Sequence, residues 1–283
     1  MLQIDNLVKE YPGTLAVNDL SFQLDQGRIC GFIGPNGAGK TTTMRIIATL
    51  EEPTLGDVYV DGCSIAEEPY KIRRMIGFMP DHLGVYPSMT VRDYLEFYAR
   101  AYEIEPTSRG NRIDGIMDFT GLDSIAEKEV EALSKGMRQR LNLGRALIND
   151  PKVMVMDEPA AGLDPRARVE LRFLIKALAE QGKTVFVSSH ILTELSEICD
   201  SMLIIDHGEQ VMFGSFDEIQ EQLQTGFEIT VTLIEADQLN GLERFLLEQP
   251  HVENVRMEEG SRLSFTFGKD KTQISALLRD MMN

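Results

Sequence analysis

The chain has 283 residues, of which 43 % are hydrophobic and 26 % charged, and its formal net charge at pH 7 is −17. This length allows one large domain, or a large domain followed by a small one, with a sizeable core. The negative charge argues against a general nucleic-acid-binding protein, which needs basic surface to displace counterions from phosphates. A single basic site remains possible, because net charge does not determine the local field.

The three cysteines, Cys30, Cys63 and Cys199, are widely separated and show no metal-ligand spacing. We expect them to be reduced and to pack as small hydrophobic side chains. The first residues lack the apolar run of a signal peptide, and no segment approaches the roughly 20 apolar residues of a membrane span. We therefore expect a soluble or peripheral protein, whose role at a membrane would depend on a partner.

The N-terminal segment has the pattern of β-strands. LQIDNLVKEY and LAVNDLSFQLDQG alternate apolar and polar residues, with Gly13 and Gly27 at the turns. RICGFIG predicts a buried strand that runs into a glycine-rich loop, and KTTTMRIIATL predicts the helix that follows. GDVYVDG predicts one more short strand between turn signals.

From about Tyr86 the pattern becomes helical. TVRDYLEFYARAY predicts an amphipathic helix capped by Thr90, and RIDGIMDFTGL and MRQRLNLGRALIND continue in the same way. The apolar face of the first helix comprises Val91, Tyr94, Leu95 and Tyr98. KVMVMDEP and KTVFVSSH are apolar runs of strand length, each followed by a helix, which is typical of parallel sheets buried on both faces. DSMLIIDHGEQVMFGS predicts a strand and a hairpin.

Residues 221–283 have a β-α-β-β-α order, which predicts a small sheet with helices on one face. FEITVTLIEA alternates cleanly, LNGLERFLLEQ is amphipathic, and HVENVRM and RLSFTFG predict two strands joined by EEGS. KTQISALLRDMM predicts a final helix. This segment carries no chemical motif, so we interpret it as a small packing or interaction domain.

GPNGAGKTT, residues 34–42, fits the P-loop pattern G-x-x-x-x-G-K-[ST] and lies between a predicted strand and a predicted helix, as the motif requires. Its glycines let backbone N–H groups curl around phosphates at the positive end of the helix. Lys40 can supply charge to the β- and γ-phosphates, and the Thr41 hydroxyl can bind Mg²⁺. The motif therefore predicts nucleotide binding.

KVMVMDEP brings two carboxylates to the end of a buried strand, the edge at which open parallel sheets bind ligands. We predict that Asp157 holds Mg²⁺, through water, and that Glu158 orients or deprotonates the water that attacks the γ-phosphate.

With these motifs the chain resembles the nucleotide-binding subunits of ABC transporters over roughly residues 1–220, in the subtype that works as a separate polypeptide beside an export-type permease. LSKGMRQR is similar to the family's signature, most often LSGGQ, and AAGLDP, with Asp164, resembles the D-loop. VSSH ends in His190, at the position of the switch histidine. Tyr11 lies where the family stacks an aromatic ring on adenine, with Val17 packing nearby.

The resemblance implies an α/β fold. Residues 1–220 would form a P-loop NTPase core with an N-terminal antiparallel β-subdomain and a helical subdomain at about 86–150. Residues 221–283 would form a small C-terminal α+β domain. The cofactors implied are ATP and Mg²⁺, with Glu158, His190 and Lys40 as catalytic residues and Thr41, Asp81 and Asp157 at the metal. The ATP-binding residues implied are Tyr11, Val17, Gly34, Pro35, Asn36, Gly37, Ala38, Gly39, Lys40, Thr41 and Thr42.

The resemblance also implies two partners. A second copy would dimerise head-to-tail with the first around two ATP molecules, and a transmembrane permease, a separate chain, would hold the pair at the cytoplasmic face of the membrane. The signature, Ser134, Lys135, Gly136 and Met137, would then cap the γ-phosphate bound by the other subunit. This is physically sensible, because the Ser134 hydroxyl can donate and the helix N-terminus is positive. Both halves of the composite site look intact, which favours a homodimer.

Two positions depart from the family pattern. Lys135 and Met137 replace the usual Gly and Gln of the signature, and we expect capping to survive, with Lys135 adding attraction to the partner's nucleotide. Asp81, in IGFMPDHLGVYP, replaces the glutamine of the Q-loop. A carboxylate also binds Mg²⁺, so we predict that Asp81 senses the metal and raises the metal requirement. In the family a permease helix docks beside this loop, and we expect Leu83, Val85, Tyr86 and Met89 to contribute to that groove.

The favoured function is therefore ATP hydrolysis that drives transport, in the export direction, through a permease, with no nucleic acid as a partner. One alternative is an ABC ATPase of DNA repair, chromosome organisation or translation. Those types carry long coiled coils or two nucleotide domains, whereas this chain has one P-loop motif and no heptad runs. A second alternative is a non-hydrolytic regulatory module, against which Lys40, Asp157, Glu158 and His190 argue.

Overall fold

The two strands that open the chain form a long hairpin, in which the register runs from Leu2 opposite Leu24 to Tyr11 opposite Thr14. The computed structural model describes residues 2–84, 86, 88–191, 195–223, 227–232, 239–247, 249–258, 262–268 and 277. The chain divides into two compact units, residues 1–216 and 217–283. The functional assignment of these two segments stays a prediction.

The strands of the first unit are β1 (Leu2–Tyr11), β2 (Thr14–Leu24), β3 (Ile29–Ile33), β4 (Leu55–Val60), β5 (Cys63–Ser64), β6 (Ile76–Met79), β7 (Val153–Met156), β8 (Thr184–Ser189), β9 (Ser201–Asp206) and β10 (Glu209–Gly214). Its helices are α1 (Lys40–Ile47), α2 (Pro69–Met75), α3 (Val91–Ala101), α4 (Pro106–Thr120), α5 (Lys135–Leu147) and α6 (Pro165–Glu180). Helix α7 (Phe216–Leu223) begins on the last residue of this unit, and its other residues belong to the second unit. Helix α2 is not predicted by the sequence pattern.

The strands form two sheets. A four-stranded antiparallel sheet has the order β2-β1-β4-β5, and a six-stranded sheet has the order β10-β9-β3-β8-β7-β6. In the larger sheet all neighbours are parallel except the β9–β10 hairpin. Strand β3 lies between β8 and β9, so the loop that follows it opens at the carboxyl edge of the sheet, where such folds bind ligands.

The core lies between these two sheets and around α1. Phe186 of β8 stacks on Phe22 of β2, with ring centroids 5.3 Å apart, and on Phe32 of β3 at 5.0 Å. Every residue of β3 and β8 is buried, as their continuous apolar sequences predict. This packing fixes the strand ends that carry the P-loop and the acidic pair.

Helices α3, α4 and α5 form the predicted helical segment. Thr90 caps α3 through a capping box with Asp93, and Val91, Tyr94 and Leu95 are completely buried, as predicted. Helix α4 ends at Gly121 (φ 67°), a left-handed residue that suits glycine. Two short 3₁₀ segments, Asp123–Ile125 and Val130–Ala132, lead into α5.

The second unit contains β11 (Phe227–Thr232), α8 (Leu239–Leu247), β12 (Val252–Glu258) and β13 (Arg262–Phe267), with the antiparallel order β11-β13-β12. Its core comprises Leu246, Leu263, Phe265, Phe267 and Leu277. The predicted β-α-β-β order is confirmed over these elements, whereas the predicted last helix lies outside the described residues apart from Leu277. Within the described parts of the chain, no helix has the length and apolarity to cross a bilayer.

Candidate functional site

The P-loop runs from the end of β3 to the start of α1 and depends on its glycines. Gly37 and Gly39 have φ angles of 84° and 103°, in the left-handed region. A Cβ atom on Gly39 would lie 2.3 Å from the Ala16 carbonyl oxygen, and one on Gly34 would lie 2.3 Å from that of Ile205. No side chain fits at residues 34 and 39, so the loop can pack this closely against Ala16 and Ile205 only with glycine at these positions.

Lys40 is buried under the loop and faces the acidic end of β7. Its Nζ donates hydrogen bonds to the carbonyl oxygens of Gly34 at 2.7 Å and Pro35 at 3.1 Å, and lies 3.7 Å from Glu158 Oε1. Only 6 % of Lys40 is exposed. The ammonium is therefore held beside the space that the P-loop encloses.

A chain of hydrogen bonds joins the P-loop to the ends of β7 and β8. Thr41 Oγ1 donates to Asp157 Oδ2 at 2.8 Å, and Ser188 Oγ donates to Asp157 Oδ1 at 2.8 Å. The backbone N–H of Glu158 donates to the same Ser188 oxygen at 2.8 Å. Ser188 is fully buried and was not predicted as a site residue.

Glu158 has φ 46°, an uncommon left-handed conformation for a residue with a side chain. Its Oε2 lies 2.9 Å from His190 Nδ1, and its buried Oε1 faces Lys40 without accepting a hydrogen bond. The turn thus places one carboxylate between the switch-position histidine and the P-loop lysine. Of the predicted catalytic residues, Lys40 and His190 therefore each lie beside Glu158.

A cleft of about 310 Å³ opens above the P-loop. Its lining includes the predicted residues Asn36, Gly37, Gly39, Lys40, Thr41, Thr42 and Glu158, together with four residues that the sequence did not single out, Thr14, Leu15, Ala16 and His207. The predicted contact through Val17 needs correction, because Val17 is completely buried in the core. Its neighbour Ala16 lines the cleft in its place.

Tyr11 lies beside this cleft on the last residue of β1. Its hydroxyl donates to the Glu51 carboxylate, and the Lys9 ammonium lies 4.9 Å from the ring centroid. Burial raises the pKa of Tyr11, the hydrogen bond to Glu51 raises it further, and one with Thr42 acts in the opposite direction. Through Thr42 the phenol reaches a residue of the cleft wall.

The predicted metal ligands fall into two places. Thr41 and Asp157 meet at 2.8 Å, and such a pair of oxygens fits Mg²⁺, which is usually held by one or two protein oxygens, waters and substrate phosphates. The Asp81 carboxylate pairs instead with the adjacent His82, with 2.7 Å between Oδ2 and Nδ1. This contact joins Asp81 to its neighbour in the Q-loop, and the place of Asp81 at the metal stays a prediction.

The signature serine begins α5. Ser134 Oγ accepts the Met137 backbone N–H at 3.3 Å as the N-cap, and Ser134 is exposed. Gly136 is packed close to Ala167, which a Cβ atom would meet at 3.3 Å. Lys135 Nζ lies against Gly162, in the D-loop of its own chain, so closely that a Cβ on Gly162 would come within 2.3 Å of it. The tip of α5 thus faces solvent rather than its own core.

The D-loop aspartate has a structural partner. Asp164 Oδ1 accepts the Ala167 backbone N–H at 2.9 Å and caps α6.

The Q-loop segment is held by α5, since Asn142 Nδ2 donates to the Pro80 carbonyl at 2.8 Å and Arg145 donates to the Phe78 carbonyl at 2.9 Å. Two hydrogen bonds therefore attach the residues that precede Asp81 to helix α5.

Beyond Asp81 the loop leads into an aromatic surface. Tyr86 is 45 % exposed and packs on Phe97, with ring centroids 5.3 Å apart. Leu83 and Met89 are half-buried, and Val85 lies outside the described residues. A separate hollow of about 270 Å³ nearby is lined by Leu50, Arg73, Phe78, Tyr98, Tyr102 and Arg145, among others. Leu83, Tyr86 and Met89 are not among the residues that line this hollow, and their contribution to a permease groove stays a prediction.

A P-loop on a parallel sheet, with an acidic pair at the end of the adjoining strand, defines a nucleoside-triphosphate-binding protein. Residues 17–161 match the family described as ABC transporter. The linearmycin resistance ATP-binding protein of Bacillus subtilis is 34 % identical over 264 residues, which cover 92 % of this chain and 83 % of that protein. The Nod factor export ATP-binding protein I of Ralstonia nicotianae is 34 % identical over 281 residues, which cover 99 % and 85 %.

Proteins of known structure share the fold of this chain. A dimeric ATP-binding cassette in a post-hydrolysis state, bound to ADP and Pi, superposes with a TM-score of 0.69 at 27 % identity, covering 76 % of this chain and 98 % of that one. The chain therefore belongs to the ABC transporter family, as an ATP-binding, ATP-hydrolysing subunit. The predicted fold class and the predicted resemblance are confirmed.

Proposed function

We propose that two copies of this chain, bound to a separate permease at the cytoplasmic face of a membrane, use Mg²⁺ and ATP to drive export. The observation that carries the catalytic part is the hydrogen-bonded chain from Thr41 through Asp157 and Ser188 to Glu158. It joins the P-loop to the backbone of Glu158, whose carboxylate is proposed to act on water. The residues proposed to bind the phosphates and to act on water are therefore connected by the same hydrogen bonds.

The P-loop backbone and Lys40 hold the phosphates. In this proposal Nζ leaves the carbonyl oxygens of Gly34 and Pro35, which it bonds in this structure, and turns to the β- and γ-phosphates. Mg²⁺, held by Thr41 and Asp157, supplies charge neutralisation to the same oxygens when bound. Because Lys40 is buried beside the phosphate site, little reorganisation of solvent is needed when charge develops.

Glu158 is the proposed general base. Its Oε1 is free of hydrogen bonds, and its Oε2 is oriented by His190 at 2.9 Å. Oε1 is buried beside Lys40 in this structure, and in this proposal it accepts a proton from water once Lys40 has turned to the phosphates, while Oε2 keeps the carboxylate in place. His190 is the proposed contact between this carboxylate, the γ-phosphate and the D-loop.

The exposed Ser134 at the tip of α5 supports the proposed dimer. Ser134 uses its oxygen to accept the Met137 N–H, so its hydroxyl proton remains available for the partner's phosphate. The helix N-terminus adds a positive end. Dimeric relatives of solved structure support this arrangement.

Export and the permease are inferred from relatives and from the surface. Two relatives carry names for Nod factor export and linearmycin resistance. The aromatic surface around Tyr86 and Phe97 offers a docking place for a helix of the permease. This supports transport over the other ABC ATPase functions and over a non-hydrolytic module.

The test is the dependence of turnover on protein concentration and on a membrane partner. We expect phosphate release per subunit to rise with concentration, because two chains complete each site, and to change when the co-purifying permease is restored in vesicles. Lys40→Ala is the inactive control. A constant rate per subunit at all dilutions would contradict the dimer, and the absence of any turnover would favour the regulatory module.

A further inference from the structure

Tyr11 is held from two sides by charged groups. Its hydroxyl donates to Glu51 Oε2, and Lys9 Nζ lies 4.9 Å above the ring centroid. The hydrogen bond fixes where the ring points, and the cation covers one of its two faces. In the proposed adenine contact the base stacks on the other face.

Glu51 is itself held by two cations from different elements. Lys9 Nζ on β1 lies 3.8 Å from Oε2, and Arg45 Nε on α1 lies 3.4 Å from Oε1. Only 21 % of the Glu51 side chain is exposed. Since α1 begins at Lys40, Glu51 connects Tyr11 to the helix that carries the P-loop lysine.

The loop that carries Glu51 is fixed along its length. At one end the Leu50 N–H donates to the Arg45 carbonyl at 2.8 Å. At the other end the Thr54 N–H donates to the Val8 carbonyl at 2.8 Å, and the Glu10 N–H donates to Thr54 Oγ1 at 3.0 Å. This loop is therefore attached to both α1 and β1, and the position of the carboxylate is determined by both.

From this geometry we infer that Glu51 is a positioning residue for nucleotide binding, which holds the Tyr11 ring in the orientation that stacks on adenine. The inference rests on the proposed adenine contact of Tyr11. Glu51 itself touches no part of the nucleotide. Its effect should be confined to the base end of the ligand, because the phosphates bind the P-loop.

A purely structural role for Glu51 is the competing explanation. In that case the carboxylate would only neutralise Lys9 and Arg45, and its loss would disturb α1. Disturbance of α1 would weaken binding of every P-loop ligand, with or without a base. Comparing ADP with inorganic pyrophosphate separates the two explanations, and neither ligand carries a γ-phosphate that the enzyme could remove.

The experiment measures dissociation constants of ADP and of pyrophosphate, each with Mg²⁺, by calorimetry on the full-length protein. We expect Glu51→Ala and Tyr11→Phe each to weaken ADP binding by about three- to tenfold, the range of an ordinary intramolecular hydrogen bond. Pyrophosphate binding should stay unchanged. The double variant should be no weaker than either single one, because both remove the same hydrogen bond.

Two further variants complete the design. Glu51→Gln keeps an acceptor for the Tyr11 hydroxyl and should retain most of the ADP affinity. Glu52→Ala, in the same loop, removes an exposed carboxylate and should leave both constants unchanged. Equal weakening of pyrophosphate and ADP by Glu51→Ala, or additive losses in the double variant, would overturn the inference.

Tyr11→Ala distinguishes failure of this inference from failure of the adenine contact. If Tyr11→Ala leaves ADP binding unchanged, the proposed contact between Tyr11 and the base is wrong, and the role of Glu51 falls with it. If Tyr11→Ala weakens ADP binding while Glu51→Ala does not, the adenine contact stands and only the positioning role is wrong.

Discussion

Thr41 and Asp157 are 116 residues apart in the sequence, and their side-chain oxygens lie 2.8 Å apart. Strand β3 and strand β7 are not neighbours, since β8 lies between them. The contact therefore depends on how three strands align at one edge of the sheet. Ser188, at the end of β8, fills the gap by bonding Asp157 and the Glu158 N–H.

Glu158→Gln should reduce ATP hydrolysis by about 10²- to 10⁴-fold, the usual contribution of a general base. Glutamine keeps the shape and the contact with His190 but cannot accept the proton from water. Phosphate release measures the rate, and equilibrium binding should show that nucleotide is still bound. Glu127→Gln, at an exposed site, is the matched control. Near-normal turnover in Glu158→Gln would remove Glu158 from the mechanism.

Ser188→Ala should lower the free energy of unfolding by about 1–3 kcal/mol, because a buried carboxylate and a backbone N–H lose their shared partner. Turnover should fall as well, since the Glu158 turn loses its support. Urea denaturation and phosphate release measure the two effects. The exposed Ser124→Ala is the control. If Ser188→Ala behaves like that control in both assays, the hydrogen-bonded chain has no mechanical role.

The sequence predicts the P-loop and the acidic pair, because glycines at fixed spacing and a carboxylate after a buried apolar run are local signals. Ser188 gives no such signal, since its partners are 31 and 30 residues away. The family resemblance places Val17 at the ATP site, whereas Ala16 lines the cleft, and the β1–β2 register shifts here, since Lys9 pairs with Val17 but Glu10 with Leu15. A shift of one residue exchanges the two faces of a strand.

The pairing of Tyr11 with Glu51 could not be predicted for a related reason. It depends on where the loop after α1 meets β1, and residues 49–54 carry no motif. In contrast, the Thr90 cap and the buried face of α3 follow from local pattern alone, and both are confirmed.

Asp81→Gln should lower the Mg²⁺ concentration that gives half-maximal turnover, by about two- to fivefold, the scale of an exposed ionic interaction. In our prediction the Asp81 carboxylate turns from His82 towards the bound triphosphate, where its negative charge raises the metal requirement. Its carboxylate is 46 % exposed and is available to move from His82. Mg²⁺ titrations of turnover measure the change, with Asp123→Asn as control. Identical titrations of Asp81→Gln and the unaltered protein would show that Asp81 only shapes the loop.

Cys30 should make stability fall in alkali. Burial raises the pKa of the Cys30 thiol to about 12, whereas the pKa of a thiol in the unfolded chain is about 8.5. The raised pKa therefore stabilises the folded state, and this stabilisation is fully present below about pH 8.5. As the pH rises from there towards 12, the free energy of unfolding falls by about 1.4 kcal/mol per pH unit.

Urea unfolding of the unaltered protein and of Cys30→Ala, compared between pH 8 and 10.5, measures this slope as a difference, so other titrating groups cancel. The native Cys30 should also resist iodoacetamide at pH 8, while the half-buried Cys63 reacts first. A slope that Cys30→Ala does not change would place the alkaline loss elsewhere.

Ser134 offers the sharpest test of the shared site, because its oxygen and its hydroxyl proton have different roles. Ser134→Ala removes both, and should cost about 0.5–2 kcal/mol of unfolding free energy through the lost N-cap as well as ATP-dependent dimerisation. Ser134→Asp keeps the cap, since a carboxylate accepts the Met137 N–H, and should restore stability. It should still abolish dimerisation, because it places a negative charge against the partner's phosphate.

Denaturant unfolding and sedimentation in the presence of ATP, both in the Glu158→Gln background, separate these effects. Thr90→Ala is the matched control, because it removes the N-cap of α3 and should lose stability without losing the dimer. If Ser134→Asp dimerises with ATP as well as the unaltered serine does, the tip of α5 does not face a partner's phosphate. In that case Ser134 would serve only to begin its own helix.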